Sequence, residues 1–145
     1  DVRGPVFRPA TLADPATFET YCSAMRDRTR REIVEPLGFV PDSKLFIVEG
    51  ERFLGSLSLR HELNDFLREE GGHIGYSVRP SARRRGVASE ALRQGVELVR
   101  DLGIASVLVT CDDDNAASAG TIENNGGVLE DIRNGKRRYW IDTAL

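Results

Sequence analysis

The residues that point most directly to chemistry are three consecutive arginines and the small residues behind them. Arg83, Arg84 and Arg85 precede Gly86, and Ala88 follows two positions later. They fall where a helical pattern begins, and a helix start offers unpaired N–H groups and a partial positive charge to an anion. Arginine adds charge-assisted hydrogen bonds to phosphate oxygens. The segment predicts a site for a phosphorylated ligand, although a solvated basic helix start would look the same.

Neither of the two common nucleotide-binding loops is present. The sequence contains no Walker-type loop and no Rossmann glycine pattern. Gly86 and Ala88 are small at the positions where a side chain would block a diphosphate from approaching the backbone. The residues alone therefore predict phosphate binding without identifying the ligand.

Three hydrophobic patterns surround this segment. Apolar and polar residues alternate over 73–78, which is typical of a strand, and Pro80 ends it. Apolar residues recur at helical spacing over 86–101, and Gly103 follows as a stop signal. Residues 104–111 form the β-branched run of a buried central strand. The predicted order is strand, basic turn, helix, strand.

The rest of the chain predicts an α+β domain with mixed strand pairing. Asp14 and Pro15 start a helix whose apolar stripe we expect in the core, and Asn115 can cap a short helix that ends near 124–127. Asn134-Gly135 is a strong hairpin signal. The other predictions are strands at 6–8, 45–49, 53–60, 128–133 and 138–142, a charged segment at 26–35 that continues the helix or forms a second one, and a polar excursion at 61–72.

Composition limits the class of protein. The 145 residues fit one domain, 1–145, and 40% hydrophobic with 30% charged residues is typical of a soluble globular protein. No apolar run is long enough for a membrane span, and a net charge of −3 argues against general nucleic-acid binding. The two cysteines and two histidines match no metal-ligand spacing, and two thiols without a disulfide framework suit the cytoplasm.

Two short motifs resemble those of the GNAT acyltransferases, the Gcn5-related N-acetyltransferase superfamily. Residues 83–88 match its signature of Gln or Arg, two residues, Gly, one residue, then Gly or Ala. Asn115 and Ser118, at the start of the next helix, look like the second signature, and residues 124–127 hold its helix-ending glycine. More narrowly, residues 60–67, 71–81, 109–115 and 125–130 resemble a group of uncharacterised bacterial predicted acetyltransferases.

The resemblance implies an α/β/α layered GNAT fold whose central mixed sheet has splayed fourth and fifth strands, here 73–78 and 104–111. Acetyl-CoA would enter between them as co-substrate. The pantetheine arm would pair with the backbone of the strand 73–78, and the pyrophosphate would lie at the arginines and the helix start. Asn115 and Ser118 would contact the pantetheine arm from the other side. Helix capping is the alternative role of Asn115. The residues expected to bind acetyl-CoA are Ser77, Val78, Arg83, Arg84, Arg85, Gly86, Val87, Ala88, Asn115 and Ser118.

The implied chemistry is direct attack of an amine on the thioester. The Val78 N–H is the expected oxyanion donor. His73 is the expected general base, because it lies on the fourth strand, where many relatives carry Glu, and because imidazole titrates near neutrality. A partly buried His that bonds neighbouring strands is the alternative interpretation. Glu69 and Glu70 are alternative bases.

The general acid is left open by a departure from the family pattern. Many members carry Tyr seven residues after the conserved Asn, where this chain has Ile122. Ser118 is our catalytic candidate, and Tyr139, Tyr76 or water are alternatives. Cys111 raises a covalent route, but a buried structural cysteine is the interpretation we favour.

The acceptor site is expected at a polar cluster before the cofactor strand, formed by Arg60, His61, Glu62 and Asn64, of which Arg60, His61 and Asn64 are the expected substrate-binding residues. Alternatively, these side chains satisfy one another in a long loop. Asp112, Asp113 and Asp114 cannot converge on a metal ion from one strand end, so no metal is expected; they favour a cationic acceptor or are solvated.

We therefore predict a cytoplasmic N-acetyltransferase whose acceptor is a small-molecule or peptide amine, without a nucleic-acid or membrane partner and compatible with a homodimer. A non-catalytic CoA-binding or regulatory module on the same fold is the alternative. A nucleic-acid-binding domain that uses the arginines is a weaker alternative, because the net charge is negative.

Overall fold

The structure, a computed structural model, describes residues 15–144. The strand predicted at 6–8 and the capping residue Asp14 lie outside this range. The strands are β1 (Asp42–Glu49), β2 (Arg52–Arg60), β3 (Ile74–Val78), β4 (Ser106–Asp112), β5 (Val128–Arg133) and β6 (Lys136–Asp142). The helices are α1 (Pro15–Asp27), α2 (Arg31–Val34), α3 (Val87–Asp101) and α4 (Ala116–Asn124), with 3₁₀ turns at Glu35–Leu37 and Pro80–Ala82 and a π-helical turn at Leu67–Gly71.

The six strands of the described region form one sheet in the order β1-β2-β3-β4-β6-β5. β3 and β4 are parallel, whereas every other neighbouring pair is antiparallel. The expected mixed α+β architecture is therefore confirmed. If the predicted strand at 6–8 is counted first, β3 and β4 are the fourth and fifth strands of the expected fold.

The two faces of the sheet carry different side chains, because residues alternate between faces along a strand. Leu57 and Ile74 face α3, where a Cβ on Gly95 would lie 3.0 and 3.5 Å from their methyl groups. Phe46 faces α1, and its ring lies 5.9 Å from Phe18 between centroids. The main core, with Leu92 and Val107 fully buried, lies on the α3 side.

The apolar stripe of α1 is less buried than its spacing predicts. Phe18 keeps 39% of its surface exposed and Phe46 beneath it 40%. Tyr21 completes the stack, 6.1 Å from Phe46. Within the described residues, α1 therefore covers the outer part of β1 with aromatic rings instead of filling the core. Helical spacing identified which face of α1 packs against the sheet, but it does not determine how deeply that face is buried.

The hairpin between β5 and β6 forms where Asn134-Gly135 predicts it. Both residues have positive φ, 51° and 76°, as a two-residue type I′ turn requires. This turn pairs Arg133 with Lys136, so β6 starts two residues earlier than the hydrophobic pattern indicates. β4 starts two residues later than predicted. Gly103 has φ 89°, which lets the Ile104 N–H donate to Val99 O of α3, so Ile104 belongs to the end of the helix and not to the strand.

β3 and β4 touch at one point only. Their ladder has a single paired position, Ile74 with Val109, whereas β4 and β6 pair from Ser106 to Asp112. Beyond Ile74 the two parallel strands diverge and leave a gap in the middle of the sheet. The splay implied by the resemblance is confirmed between these strands.

Gly55 brings the end of β3 close to β2. A Cβ on Gly55 would lie 2.0 Å from Ser77 O and 2.9 Å from Val78 Cα, both backbone atoms of a paired strand. Neither strand can shift easily, because β2 is also paired along β1. Glycine at this position therefore holds the last residues of β3 in place.

We expect Gly55→Ala to lower the free energy of unfolding by about 1–3 kcal/mol, the usual cost of overpacking. Gly120→Ala is the matched control, since a Cβ there meets nothing within 4 Å in α4 and alanine favours helix by about 0.5–1 kcal/mol. Urea unfolding of both variants measures the difference. A Gly55→Ala protein as stable as the control would contradict the close β2–β3 approach.

Candidate active site

The gap between β3 and β4 opens into a cavity of about 710 Å³. Its walls are the end of β3, the loop and first turn of α3, and one side of α4 along its whole length. Nine of the ten residues predicted to bind acetyl-CoA line it, and Arg85 is the exception. The nine are Ser77, Val78, Arg83, Arg84, Gly86, Val87, Ala88, Asn115 and Ser118. Residues separated by forty positions in sequence thus meet around one space.

The backbone of Val78 faces the gap. Arg79 N–H donates to Leu54 O of β2 at 2.7 Å, and N–H groups alternate sides along a strand, so the Val78 N–H points away from β2. Its carbonyl accepts a hydrogen bond from Arg83 Nε at 3.1 Å. The Ser77 carbonyl lies against Gly55 on the β2 side. We expected both residues to offer backbone groups to the gap, and the geometry departs from this expectation at Ser77.

The loop before α3 turns sharply toward the cavity. Arg84 and Gly86 both have positive φ, 63° and 76°. Glu90 N–H is the first to find an intrahelical acceptor, Gly86 O at 3.0 Å. The N–H groups of Val87 and Ala88 belong to the first turn, which has no carbonyl four residues earlier inside the helix. Together with the helix dipole, they give this end of the cavity a positive potential that suits an anion.

The three arginines differ in orientation. Arg83 bonds the Val78 carbonyl, and Arg84 lines the cavity. Arg85 points away, and its guanidinium pairs with Glu49 of β1 at 2.9 Å. The sequence could not separate them, because direction within a turn depends on the backbone angles of each residue.

Tyr76 and Ser118 join the two sides of the cavity. The Tyr76 hydroxyl on β3 lies 2.7 Å from Ser118 Oγ on α4, a hydrogen-bond distance. Burial raises the pKa of Tyr76 above its usual value near 10, so its hydroxyl keeps its proton at neutral pH. Burial also raises the pKa of the neighbouring Cys111, which keeps this thiol protonated and favours its structural interpretation.

Asn115 caps α4, as the alternative interpretation held. Its Oδ1 accepts a hydrogen bond from Ser118 N–H at 3.1 Å, and its side chain also borders the cavity. At the other end of the helix, Asn125 Nδ2 donates to Ser89 O at 3.2 Å and to Ser89 Oγ at 3.1 Å. This contact connects the end of α4 to the start of α3, and sequence reasoning missed it because nothing local marks it.

His73 lies at the closed end of the gap and does not line the cavity. Its backbone N–H donates to Leu108 O at 2.7 Å, and its Nδ1 accepts from Leu108 N–H at 2.9 Å. Its side chain therefore replaces a backbone carbonyl in the ladder between β3 and β4. Burial lowers the pKa of His73 to about 4, with Arg68 contributing, so the ring is neutral at pH 7. This geometry favours the structural interpretation that we gave as its alternative.

The other candidates for proton transfer lie elsewhere. Ile122 is completely buried in the core, and the Tyr139 hydroxyl donates to Glu123 Oε1 at 3.2 Å. Glu69 pairs with Arg133 at 3.0 Å. In the described part of the chain, no His, Asp or Glu lines the cavity.

Two of the three carboxylates at the end of β4 form ion pairs with β6. Asp112 pairs with Lys136, and Asp113 pairs with Arg137 at 2.7 Å. Among residues 15–144, no group of His, Cys, Asp and Glu side chains is arranged to hold a metal ion. No helix within those residues has the length and apolar character needed to cross a bilayer.

The polar cluster predicted for the acceptor is only partly assembled. Arg60 and Asn64 border a second cavity of about 420 Å³ on the α1 side of the sheet. His61 does not; its Nε2 lies 2.8 Å from Ser43 Oγ. Lys44 and Ser58 also line this cavity, and sequence reasoning missed them. Ser58 is a polar position of the strand predicted at 53–60, whereas Lys44 precedes the strand predicted at 45–49, and β1 in fact starts at Asp42.

Structural comparison places the fold among known acetyltransferases. A putative acetyltransferase, yncA, from Salmonella typhimurium, solved with acetyl-CoA, is 16% identical over 88% of this chain and 73% of its own, with a TM-score of 0.59. A chimera of spermidine N-acetyltransferase SpeG from Vibrio cholerae and hSSAT is 15% identical over 89% of this chain and 76% of its own, with a TM-score of 0.60. RimJ from Mycobacterium smegmatis, solved with CoA-disulfide, is 20% identical over 88% of this chain and 61% of its own, with a TM-score of 0.65. These likenesses show a shared fold.

Two sequence comparisons gave different results. The comparison with curated proteins found no match. The family model described as acetyltransferase (GNAT) domain matches residues 6–128, which include the cavity and both signatures. The chain belongs to the GNAT acetyltransferase family.

Proposed function

We propose that this chain transfers an acetyl group from acetyl-CoA to an amine by direct attack on the thioester. The observation that carries the proposal is the cavity between β3 and β4, which has a helix start at one end and the Val78 backbone at the other. Its volume of about 710 Å³ lies within the range of small-molecule sites. Family membership supports acetyl transfer as the reaction.

The pyrophosphate of CoA would bind at the start of α3. The N–H groups of Val87 and Ala88 and the side chain of Arg84 converge there, and Gly86 leaves the approach open because nothing lies within 4 Å of its Cβ position. In this arrangement Arg85 acts indirectly, because its ion pair with Glu49 connects the loop to β1. The first-turn N–H groups and Arg84 place positive charge where a diphosphate needs it.

The thioester would lie beside Val78. Its N–H faces the gap and would donate to the oxygen that becomes negative when the amine attacks. Attack forms the carbon–nitrogen bond of a tetrahedral intermediate, whose nitrogen then loses a proton to water. The carbon–sulfur bond breaks as the carbonyl re-forms, and the thiolate leaves with the electron pair. An amine nucleophile must be neutral, and since no His or carboxylate lines the described cavity, the amine loses its proton to water.

The Tyr76 hydroxyl would protonate the leaving thiolate. Tyr76 and Ser118 share a hydrogen bond across the cavity, so Ser118 orients the hydroxyl and relays a replacement proton. This assignment moves the acid from the helix position that Ile122 occupies to the opposite strand. The raised pKa of Tyr76 keeps its hydroxyl protonated at neutral pH, so the proton is present when the thiolate leaves.

Gly86→Ala should weaken acetyl-CoA binding at least about tenfold, which corresponds to about 1.4 kcal/mol. The added Cβ is strained at φ 76° and projects where the diphosphate would approach. Gly103→Ala is a matched control, since Gly103 has φ 89° with open space around its Cβ position and lies at the far end of α3. Titration calorimetry gives both dissociation constants, and equal affinities would remove the diphosphate from this helix start.

Tyr76→Phe should lower kcat by about 100-fold, the lower end of the range for general acid catalysis. The ring stays in place, so the KM for acetyl-CoA should change little. Tyr139→Phe removes a hydroxyl that bonds Glu123 outside the cavity, and it should keep its kcat. Thiol release measured from pH 6 to 9 compares the two, and a larger loss for Tyr139→Phe would reverse the assignment.

His73→Asn should keep turnover, because its amide oxygen can accept from Leu108 N–H as Nδ1 does. His73→Ala should lower the free energy of unfolding by about 1–3 kcal/mol by leaving that buried N–H unpaired. With a folded-state pKa of about 4 against 6.5 unfolded, neutral His73 contributes stability fully above pH 6.5, and this is lost as pH falls toward 4.

Denaturant unfolding of the wild-type and His73→Asn proteins at pH 7.5 and pH 5 isolates this contribution, because the wild type should lose more stability between the two conditions. If both His73 variants lost turnover equally while acetyl-CoA still bound, His73 would be the general base.

A further inference from the structure

The second cavity lies on the face of the sheet that packs beneath α1. Lys44 on β1 and Ser58 and Arg60 on β2 line its floor, and Phe39 and Phe66 line its walls. The floor residues share one face, because Lys44 pairs with Ser58 and Arg60 lies two positions further along β2. It is a polar floor with aromatic sides.

This cavity carries unbalanced positive charge. Arg28, Lys44 and Arg60 line it together with a single carboxylate, Asp42. Arg28 already holds Asp42, through Nε at 3.1 Å and Nη2 at 2.8 Å. Lys44 Nζ donates to Ser58 Oγ at 3.2 Å, and Arg60 Nη1 donates to Gly71 O at 3.1 Å.

Within residues 15–144, neither Lys44 nor Arg60 forms an ion pair with a carboxylate. Burial lowers the pKa of Lys44, and the charge of Arg60 lowers it further. The pKa of Arg60 is lowered as well, mainly by burial. Two adjacent cations in a half-buried cavity repel each other, and an anion between them would relieve the repulsion.

The second cavity adjoins the strand that borders the first. Arg60 lies over Gly75, since a Cβ there would be 3.2 Å from its Nη1. Gly75 and Ser77 share a face and are two residues apart on β3, about 7 Å. Ser77 lines the first cavity. A small molecule held at Arg60 can therefore extend along β3 toward the gap beside Val78.

We infer that the second cavity holds the acceptor, and that the acceptor is a small amine that also carries a carboxylate or phosphate group. This inference rests on the proposed acetyl transfer. The anionic group contacts Lys44 and Arg60, while the amine points along β3 to the thioester. The aromatic walls accommodate an apolar part of the same molecule.

The charges around the acidic run support an anionic acceptor over a cationic one. Asp112 and Asp113, which could have attracted a polyamine, are paired with Lys136 and Arg137. A polyamine would also meet Lys44 and Arg60 on entering the second cavity, and like charges at close range disfavour binding.

Paired amines that differ only in the anionic group test the inference. The probes are the common α-amino acids against their amides, O-phosphoethanolamine against ethanolamine, and spermidine. Thiol release with saturating acetyl-CoA should favour one of the anionic members by at least about tenfold in kcat/KM over its partner. The two sets distinguish carboxylate from phosphate. Higher kcat/KM for the neutral amines or for spermidine would overturn the inference.

Lys44→Met removes the charge and keeps the length of the side chain. It should raise the KM of the preferred anionic amine at least about tenfold, and leave its neutral partner and acetyl-CoA binding unchanged. Lys136→Met makes the same change at the only other lysine, which pairs with Asp112 outside both cavities. An equal effect of both variants on KM would overturn the inference.

Calorimetry with the same amines in the presence of CoA separates the two proposals. If an anionic amine binds in a Lys44-dependent way and no amine releases thiol, the acetyl transfer fails and the anionic site stands. If thiol is released from neutral or cationic amines only, the transfer stands and the anionic site fails. If no anionic amine binds or reacts, the anionic site fails.

Discussion

The structure depends on the pair of hydrogen bonds that join His73 to Leu108. They replace the ladder at one end of β3 and β4, with the His73 backbone as donor and its Nδ1 as acceptor. A single paired position follows, at Ile74 and Val109, and then the strands separate. Parallel strands normally continue to pair because unpaired backbone groups are costly to bury. Here that cost is avoided, since the Val78 carbonyl accepts from Arg83 and the remaining groups border an open cavity.

The distribution of charge follows from the same opening. Ion pairs between neighbouring elements neutralise several charged side chains near the site, including Arg85 with Glu49 and Asp113 with Arg137. Two places stay positive: the start of α3, where first-turn N–H groups lie beside Arg84, and the floor of the second cavity, with Lys44 and Arg60. A chain with a net charge of −3 thus concentrates local positive charge along both faces of β3.

The sequence predicted those parts of the site that local rules describe. The α3 start with Gly86, the Asn115 cap and the Asn134-Gly135 turn each depend on backbone angles or on neighbours within four residues, and each was predictable. The resemblance to the GNAT signatures then predicted acetyl-CoA as the ligand, which the residue pattern alone had left open. The first residues of β6 and β4, Lys136 and Ser106, differ by two positions from the predicted strand starts, because a turn sets the first and a helix end sets the second.

By itself, the sequence determined the order of elements, the anion-binding helix start and the family. Only the tertiary structure decided which side chains face each other across the gap. Tyr76 and Ser118 are 42 positions apart and meet at 2.7 Å because β3 and α4 border the same opening. His73 connects β3 to β4 because Leu108 lies opposite it. Lys44 lies near Arg60 because the pairing of β1 with β2 places Lys44 opposite Ser58, two residues from Arg60. Long-range pairing sets these contacts, and no local pattern encodes it.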